Sequence, residues 1–212
     1  MQGRKRFTVA GTRGWQGVGA GMLAAALALL APLAHAGPFG LEQGMRLEQL
    51  KQVAGLKDEG EFLYSTTRLP RTHPDFTDFR LLVTPEQGLC KLTAWTDPIP
   101  TNTYGEGVRR KYASLLAALE ARYGAHKKFD FLRAGSIWDE PRDWMMGLLR
   151  EERTLATYWD NEEGSRMSDR LVSVSLRAHA VSTSQGLIQL TYEFENMPAC
   201  IAEIRRRESS AL

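Results

Sequence analysis

Six short runs with the two-residue periodicity of half-buried strands constrain the fold of this chain more than any other feature. They span residues 61–68, 77–84, 88–96, 153–159, 171–180 and 187–194. In the second run Phe79, Leu81 and Val83 occupy alternate positions, so their side chains share one face of a strand. The turn residues 85–88, Pro-Glu-Gln-Gly, follow directly and predict a hairpin between the second and third runs.

Four segments with helical spacing flank these runs, at residues 42–55, 105–123, 140–151 and 197–207. The second is the clearest, because Val108, Tyr112, Leu115 and Leu119 form one apolar stripe and Gly124 follows as a stop. We expect Asp139 to cap the third helix, with Trp144, Met145 and Leu148 as its buried side, and Asn196 to cap the fourth.

The resulting order is helix, three strands, helix, and then the same again. It predicts an α+β fold with two layers, in which antiparallel sheets carry helices on one face and leave the other face open. The open face is a natural binding surface.

A local match between the halves predicts a tandem duplication of a helix–three-strand–helix module. Residues 87–93, Gln-Gly-Leu-Cys-Lys-Leu-Thr, match residues 185–191, Gln-Gly-Leu-Ile-Gln-Leu-Thr, at an offset of 98 (185 minus 87). We therefore divide the chain into residues 1–36, a first module at 37–135 and a second at 136–212, with one fused domain as the alternative.

Residues 1–36 have the three parts of a removable signal peptide. Arg4, Lys5, Arg6 and Arg13 precede an uncharged Ala- and Leu-rich stretch at 18–33, and Ala34-His35-Ala36 forms a small-x-small cleavage site. An uncleaved membrane anchor is the alternative. Cleavage after Ala36 would leave a periplasmic or secreted protein, with no cysteine near its start to carry a lipid.

The leader also accounts for the positive charge of the chain. The net charge is +2 for all 212 residues, and subtracting the four basic residues of the leader leaves −2. The composition therefore gives no support for a nucleic-acid partner.

The chain has two cysteines, Cys90 and Cys200. An exported chain with two cysteines admits one intramolecular pairing, so we predict a Cys90–Cys200 disulfide. Two buried free thiols are the alternative.

The opening helix carries a resemblance to a known family. Residues 44–55, Gly-Met-Arg-Leu-Glu-Gln-Leu-Lys-Gln-Val-Ala-Gly, resemble the Gly-Met-x-x-x-Gln-Val-x-x-x-x-Gly helix of the small BamE/SmpA-like envelope proteins. The resemblance implies a compact helix-and-strand module that binds other proteins and lipid surfaces without catalysis. The chain departs from that pattern in having Leu50 where the family has Val, and no Pro after Gly55.

No residue pattern in the sequence indicates a catalytic residue, a cofactor or a metal site. His73, His126 and His179 do not stand at metal-ligand spacing from one another or from a cysteine. No serine elbow or phosphate-binding glycine loop follows the leader. The acidic segment 160–164 is typical of a solvated turn and lacks the alternation of a calcium loop.

Three functions stay open on this basis. The first is an exported, non-catalytic binding or assembly-accessory protein that recognises an envelope protein, a peptide or an envelope polymer through its open sheet face or an exposed edge. The second is an envelope hydrolase that uses carboxylates such as Asp139–Glu140 or Glu151–Glu152. The third is a small enzyme inhibitor with a protruding loop at residues 66–75. Trp95, Trp138, Trp144 and Trp159 either line a ligand groove or pack in the core.

Overall fold

The computed structural model describes residues 37–160 and 164–210, which all belong to one compact unit. The predicted leader with its cleavage site, and residues 161–163 of the acidic segment, lie outside the described residues. Within the described ranges, no helix combines the length and the apolar character that crossing a bilayer requires.

The described chain contains nine strands and four α-helices. The strands are β1 (Lys57–Gly60), β2 (Leu63–Thr66), β3 (Asp78–Thr84), β4 (Gly88–Trp95), β5 (Ile99–Pro100), β6 (Lys127–Leu132), β7 (Arg153–Trp159), β8 (Leu171–Ala180) and β9 (Gln185–Phe194). The helices are α1 (Leu47–Val53), α2 (Glu106–Tyr123), α3 (Trp144–Leu149) and α4 (Met197–Ser210), with 3₁₀ turns at Pro38–Gly40 and Pro141–Asp143.

All nine strands join one antiparallel sheet in the order β1-β2-β3-β4-β9-β8-β7-β6, and the short β5 pairs with the start of β9. The α+β fold class is confirmed. The predicted hairpin is confirmed too, because β3 and β4 pair across the turn from Thr84 to Gly88. The prediction placed the two groups of strands in separate sheets. In the structure both groups belong to a single sheet, which the pairing of β4 with β9 joins.

The helices cover one face of this sheet. The hydroxyl of Tyr112 in α2 lies 2.7 Å from that of Thr157 in β7. A Cβ at Gly186 of β9 would touch Val108 of α2 and Met145 of α3, so only glycine lets the helices approach so closely. Helix α4 packs on β3 and β4, and α1 adds Leu50 to the same core.

The centre of the sheet lies where the two matching sequence segments meet. Thr93 of β4 pairs directly with Thr191 of β9, and these residues are related by the offset of 98. The neighbouring pairs are symmetric about Thr93 and Thr191. Leu92 pairs with Tyr192 and Ala94 pairs with Leu190, and the offset of 98 relates Leu92 to Leu190 and Ala94 to Tyr192. This register fits a two-fold relation between the halves. The duplication itself stays a prediction, and β5 has no counterpart after β9.

The predicted start of the third helix is wrong. Glu140 adopts extended geometry (φ −74°, ψ 149°), because the residue before a proline is sterically driven away from helical angles. Asp139 therefore caps nothing, a 3₁₀ turn follows, and α3 runs only from Trp144 to Leu149. The predicted buried side, Trp144, Met145 and Leu148, is confirmed.

Other details differ from prediction as well, and α1 begins at Leu47 rather than at residue 42. The run at 61–68 contains a turn, since Glu61 and Phe62 adopt left-handed angles (φ 50° and 66°) between β1 and β2. Asn196 does not cap α4 with its side-chain oxygen, which has no hydrogen-bond partner in the described part of the chain. Its Nδ2 instead donates to the carbonyls of Gln87 and Leu89 at the start of β4.

Cys90 of β4 and Cys200 of α4 lie at disulfide distance, with Cα atoms 6.5 Å apart. That separation is within the usual range for a bridge, and both residues are fully buried. The pair ties α4 to the centre of the sheet. Its placement is compatible with an exported protein, since disulfides persist in oxidising compartments.

Replacing both cysteines by alanine tests this link. The pair closes a loop of 110 residues, so we expect the Cys90→Ala/Cys200→Ala variant to lose about 2–5 kcal/mol of unfolding free energy in urea titrations. Thiol titration of the denatured, unreduced wild-type protein should find no free thiol. Two free thiols per chain would contradict the disulfide.

A buried carboxylate clamps the β3–β4 turn to α4. The side chain of Glu203 is 1% exposed, and both of its oxygens lie 3.2 Å from the backbone nitrogen of Glu86, which donates to them. Arg207 donates its Nε–H to the same carboxylate at 3.1 Å. Burial opposes ionisation, but hydrogen bonds from Thr84, Glu86 and Arg207 outweigh it and hold the pKa of Glu203 below its ordinary value.

The lowered pKa makes the contribution of this clamp depend on pH. We expect Glu203→Gln to lower the unfolding free energy at pH 7 by about 1–3 kcal/mol. A depressed carboxyl pKa stabilises the fold above the pKa of the unfolded chain, and this stabilisation is lost as the pH falls through the folded-state pKa. The difference in unfolding free energy between the variant and the wild type should therefore disappear at acidic pH. Glu208→Gln, an exposed change in the same helix, is the control. A difference that does not depend on pH would contradict a stabilising role for the ionised Glu203.

Candidate functional site

The strand β6 forms one edge of the sheet, and β7 is its one strand neighbour in the described part of the chain. Its residues are exposed except for the half-buried Leu132. The opposite edge, β1, is only four residues long and is interrupted by an irregularity between Asp58 and Gly60. Short, irregular edges resist pairing with other chains, whereas a six-residue edge such as β6 offers a template for it.

The register of β6 shows which backbone groups face away from β7. Arg133 donates its N–H to the carbonyl of Glu152 at 2.7 Å, and this pair continues the ladder in which Leu132 faces Arg153. Hydrogen-bonded and non-hydrogen-bonded pairs alternate along an antiparallel ladder. Lys128, Asp130 and Leu132 therefore direct their N–H and C=O groups outward, toward the free edge.

A groove of about 410 Å³ lies between β6 and α2 on the helix-covered side. Its strand wall includes Lys128, Asp130 and Leu155. Its helix wall consists of Glu106, Arg109, Arg110, Tyr112, Ala113 and Leu116. An edge strand beside a helix, with a groove between them, is the geometry that proteins use to accept an extended peptide as an added strand.

The carboxylates of this groove are solvated and lie beside cations. Asp130 is 3.7 Å from Lys128 and 3.7 Å from Arg153, and its side chain is 43% exposed. Glu106 is 60% exposed and 4.0 Å from Arg110. Neither has the apolar surroundings that prepare a carboxylic acid for acid catalysis.

Tyr112 forms the floor of the groove. Burial raises its pKa to about 12, despite the hydrogen bond to Thr157 that favours the ionised form. The phenol therefore stays neutral at physiological pH and acts as a structural hydrogen-bonding group.

The other face of β6 is aromatic. Phe129, Phe131 and Tyr158 are 42%, 51% and 37% exposed, and the rings of Phe129 and Tyr158 meet edge to face at 5.7 Å. These side chains point away from the helices, since Lys128 and Asp130 alternate with them toward the groove. A strand added to β6 would thus meet a charged groove on one side and exposed rings on the other.

The rest of the open face is mostly polar. Lys91 and Glu193 form an ion pair at 2.9 Å across β4 and β9. His179 packs on Trp95 with ring centroids 5.1 Å apart. Burial lowers the pKa of His179, although the hydrogen bond to Gln189 partly offsets this, so the imidazole is neutral at pH 7.

The histidines and tryptophans singled out in the sequence are dispersed. His126 packs on Trp159, and His73 lies in an exposed loop beside Asp75. Trp144 and Trp159 are buried in the core, Trp95 lies on the open face, and Trp138 is half-buried after β6. Among residues 37–160 and 164–210, no three His, Cys, Asp or Glu side chains converge as a metal site.

The candidate carboxylate pairs and the candidate inhibitory loop lie outside the groove. Glu140 pairs with Arg142, and Glu152 pairs with Arg133. The loop at 66–75 is anchored, because Leu69 is buried and Arg71 donates its N–H to the carbonyl of Phe39.

Comparison with protein-family models, with curated proteins and with solved structures finds no match for this chain. The resemblance of residues 44–55 to BamE/SmpA-like proteins stays a prediction.

Sequence reasoning missed β6 altogether. Its residues, Lys-Lys-Phe-Asp-Phe-Leu, do alternate between charged and aromatic side chains, which is the signal that could have identified it. Apolar side chains recur only at Phe129 and Phe131 before the run ends. Because neither face of the strand is buried, the pattern lacks the longer apolar series that marked the other strands.

Proposed function

We propose that this protein is an exported, non-catalytic binding protein of the cell envelope that accepts an extended segment of a partner protein as an added strand along β6. One observation carries the proposal: a six-residue edge with outward-facing backbone groups lies beside a groove formed by α2. Main-chain hydrogen bonds to such an edge supply affinity, and the flanking surfaces supply specificity through alternate side chains.

The charges of the site favour selective pairing. Lys128 and Asp130 point toward the groove, and inward-pointing charges of this kind discourage indiscriminate pairing of an edge strand. Arg109 and Arg110 of α2 add positive charge opposite them. A partner strand with acidic side chains toward α2 and apolar side chains toward Phe129 and Phe131 matches both surfaces.

The compartment is inferred from the leader and the cysteines. A basic, apolar and small-residue series at residues 1–36 supports export, and Cys90 and Cys200 at disulfide distance are compatible with it. The opening-helix resemblance supports the same class, a non-catalytic envelope binding protein.

Hydrolysis by paired carboxylates is the weaker reading of the groove. Glu106 and Asp130 both line it, but each is exposed and lies beside a cation. Binding requires none of the desolvation that carboxylate catalysis does.

Photo-crosslinking from β6 tests the proposal. With p-benzoylphenylalanine in place of Phe131, we expect the exported protein to form a covalent adduct with an envelope protein, identified by mass spectrometry. The same amino acid in place of Ala117, an exposed residue of α2 that does not line the groove, should not give this adduct.

A backbone substitution then separates strand addition from ordinary surface contact. Asp130→Pro removes an N–H that faces away from β7, so the ladder to β7 persists while the added strand loses a hydrogen bond and meets the proline ring. We expect the adduct yield to fall at least about tenfold, because a lost backbone bond and a clash together exceed about 1.4 kcal/mol. Asp130→Ala, which keeps the N–H, should retain the adduct. Equal yields from the proline and alanine variants would contradict strand addition.

A further inference from the structure

A second cavity, of about 320 Å³, lies on the opposite flank of α2 from the β6 groove. It is bounded by the N-terminal segment, the loop before β3 and the sheet. Its apolar lining includes Phe39, Phe76, Leu115, Ala118, Leu190 and Tyr192. Its size falls at the low end of small-molecule sites, which occupy about 300–1,000 Å³ and combine an apolar lining with a few polar groups.

The apolar walls are held in place by packing. The ring of Phe39 meets the rings of Phe76, Phe79 and Tyr192 edge to face, with centroids 5.8, 5.0 and 6.2 Å apart. The carbonyl of Phe39 accepts the N–H of Arg71 at 3.0 Å, which fixes the N-terminal segment against the loop. A cavity with fixed walls binds without a large ordering cost.

The charged groups that line the cavity are basic. These are Arg71 and Arg122, and among the described residues no Asp or Glu lines the cavity; the imidazole of His73 lies beside them. Arg122 is oriented by Asp169, which accepts its Nη2–H at 2.9 Å. Arg71 has no ion-pair or side-chain hydrogen-bond partner among residues 37–160 and 164–210, so its guanidinium is available to an anion.

We propose that this cavity binds an amphiphilic carboxylate, with its apolar chain against Phe39, Phe76 and Tyr192 and its carboxylate paired with Arg71 and Arg122. Guanidinium groups recognise carboxylates through paired N–H donors. The aromatic and leucine side chains supply the apolar surface that the chain of the ligand needs. The site is separate from β6, so its occupancy does not depend on strand addition.

Calorimetric titration of the exported protein with decanoate, below its micellar concentration, tests the proposal. We expect one molecule of decanoate to bind per chain, at least about tenfold more tightly than decanol, which has the same chain without the charge. Decyltrimethylammonium, which carries the opposite charge, should not compete. Arg71→Ala should remove most of the preference for decanoate over decanol, and Arg71→Lys should restore part of it.

Two neighbouring alanines of α2 provide a matched pair. Ala118 and Ala117 are both exposed, but only Ala118 lines the cavity. Ala118→Trp should weaken decanoate binding at least about tenfold by filling the cavity, while Ala117→Trp leaves it unchanged. Ala113→Trp, in the β6 groove, should leave it unchanged as well.

The circular dichroism spectrum and the thermal midpoint of each variant establish that it is folded. The proposal is overturned if decanol binds as tightly as decanoate, or if folded Ala118→Trp binds decanoate like the wild type. It is also overturned if decanoate does not bind; binding of a peptide with a free, apolar C-terminal residue instead would show that the site recognises chain ends.

Discussion

The antiparallel pairing of β4 with β9 is the interaction on which the rest of this structure depends. It joins two groups of strands into one sheet whose centre is the Thr93–Thr191 pair. Because β4 and β9 are the inner strands of the two groups, the strands farthest from them, β1 and β6, form the two edges of the sheet. The same pairing gives the helices one continuous apolar face to cover, and Cys90 and Cys200 lie together on that covered side.

The helices cover the sheet incompletely, and the groove beside β6 and the cavity beside Phe39 lie where the cover is incomplete. Helix α2 packs on β8 and β9, α3 on β7 and β8, and α4 on β3 and β4. No helix among the described residues packs closely on β6, so a groove opens along one flank of α2, and the N-terminal segment closes a cavity along the other. A single helix thus separates a groove rimmed by charged side chains from a cavity walled by aromatic and leucine side chains.

An element of the fold could be predicted from the sequence when it buries a regular series of apolar side chains. The strands β7 and β8 and the helix α2 were predicted almost to the residue, because each buries a regular apolar series such as Val108, Tyr112, Leu115 and Leu119. The third helix was overextended because Pro141 fixes Glu140 outside the helix. The strand β6 was missed because both of its faces are solvated, and the cavity beside Phe39 joins residues that are far apart in sequence. Burial patterns therefore predict the scaffold better than they predict the surfaces that the scaffold leaves open.

Amide hydrogen exchange along β6 tests the central claim most directly. In the free protein the amides of Lys128, Asp130 and Leu132 face solvent and should exchange fast, whereas those of Phe129 and Phe131 bond to β7 and should be protected. When the protein is saturated with the partner captured from Phe131, the three outward amides should become protected as well. If those three amides stay fast while protection appears elsewhere on the protein, the partner does not bind as an added strand, and the account is wrong.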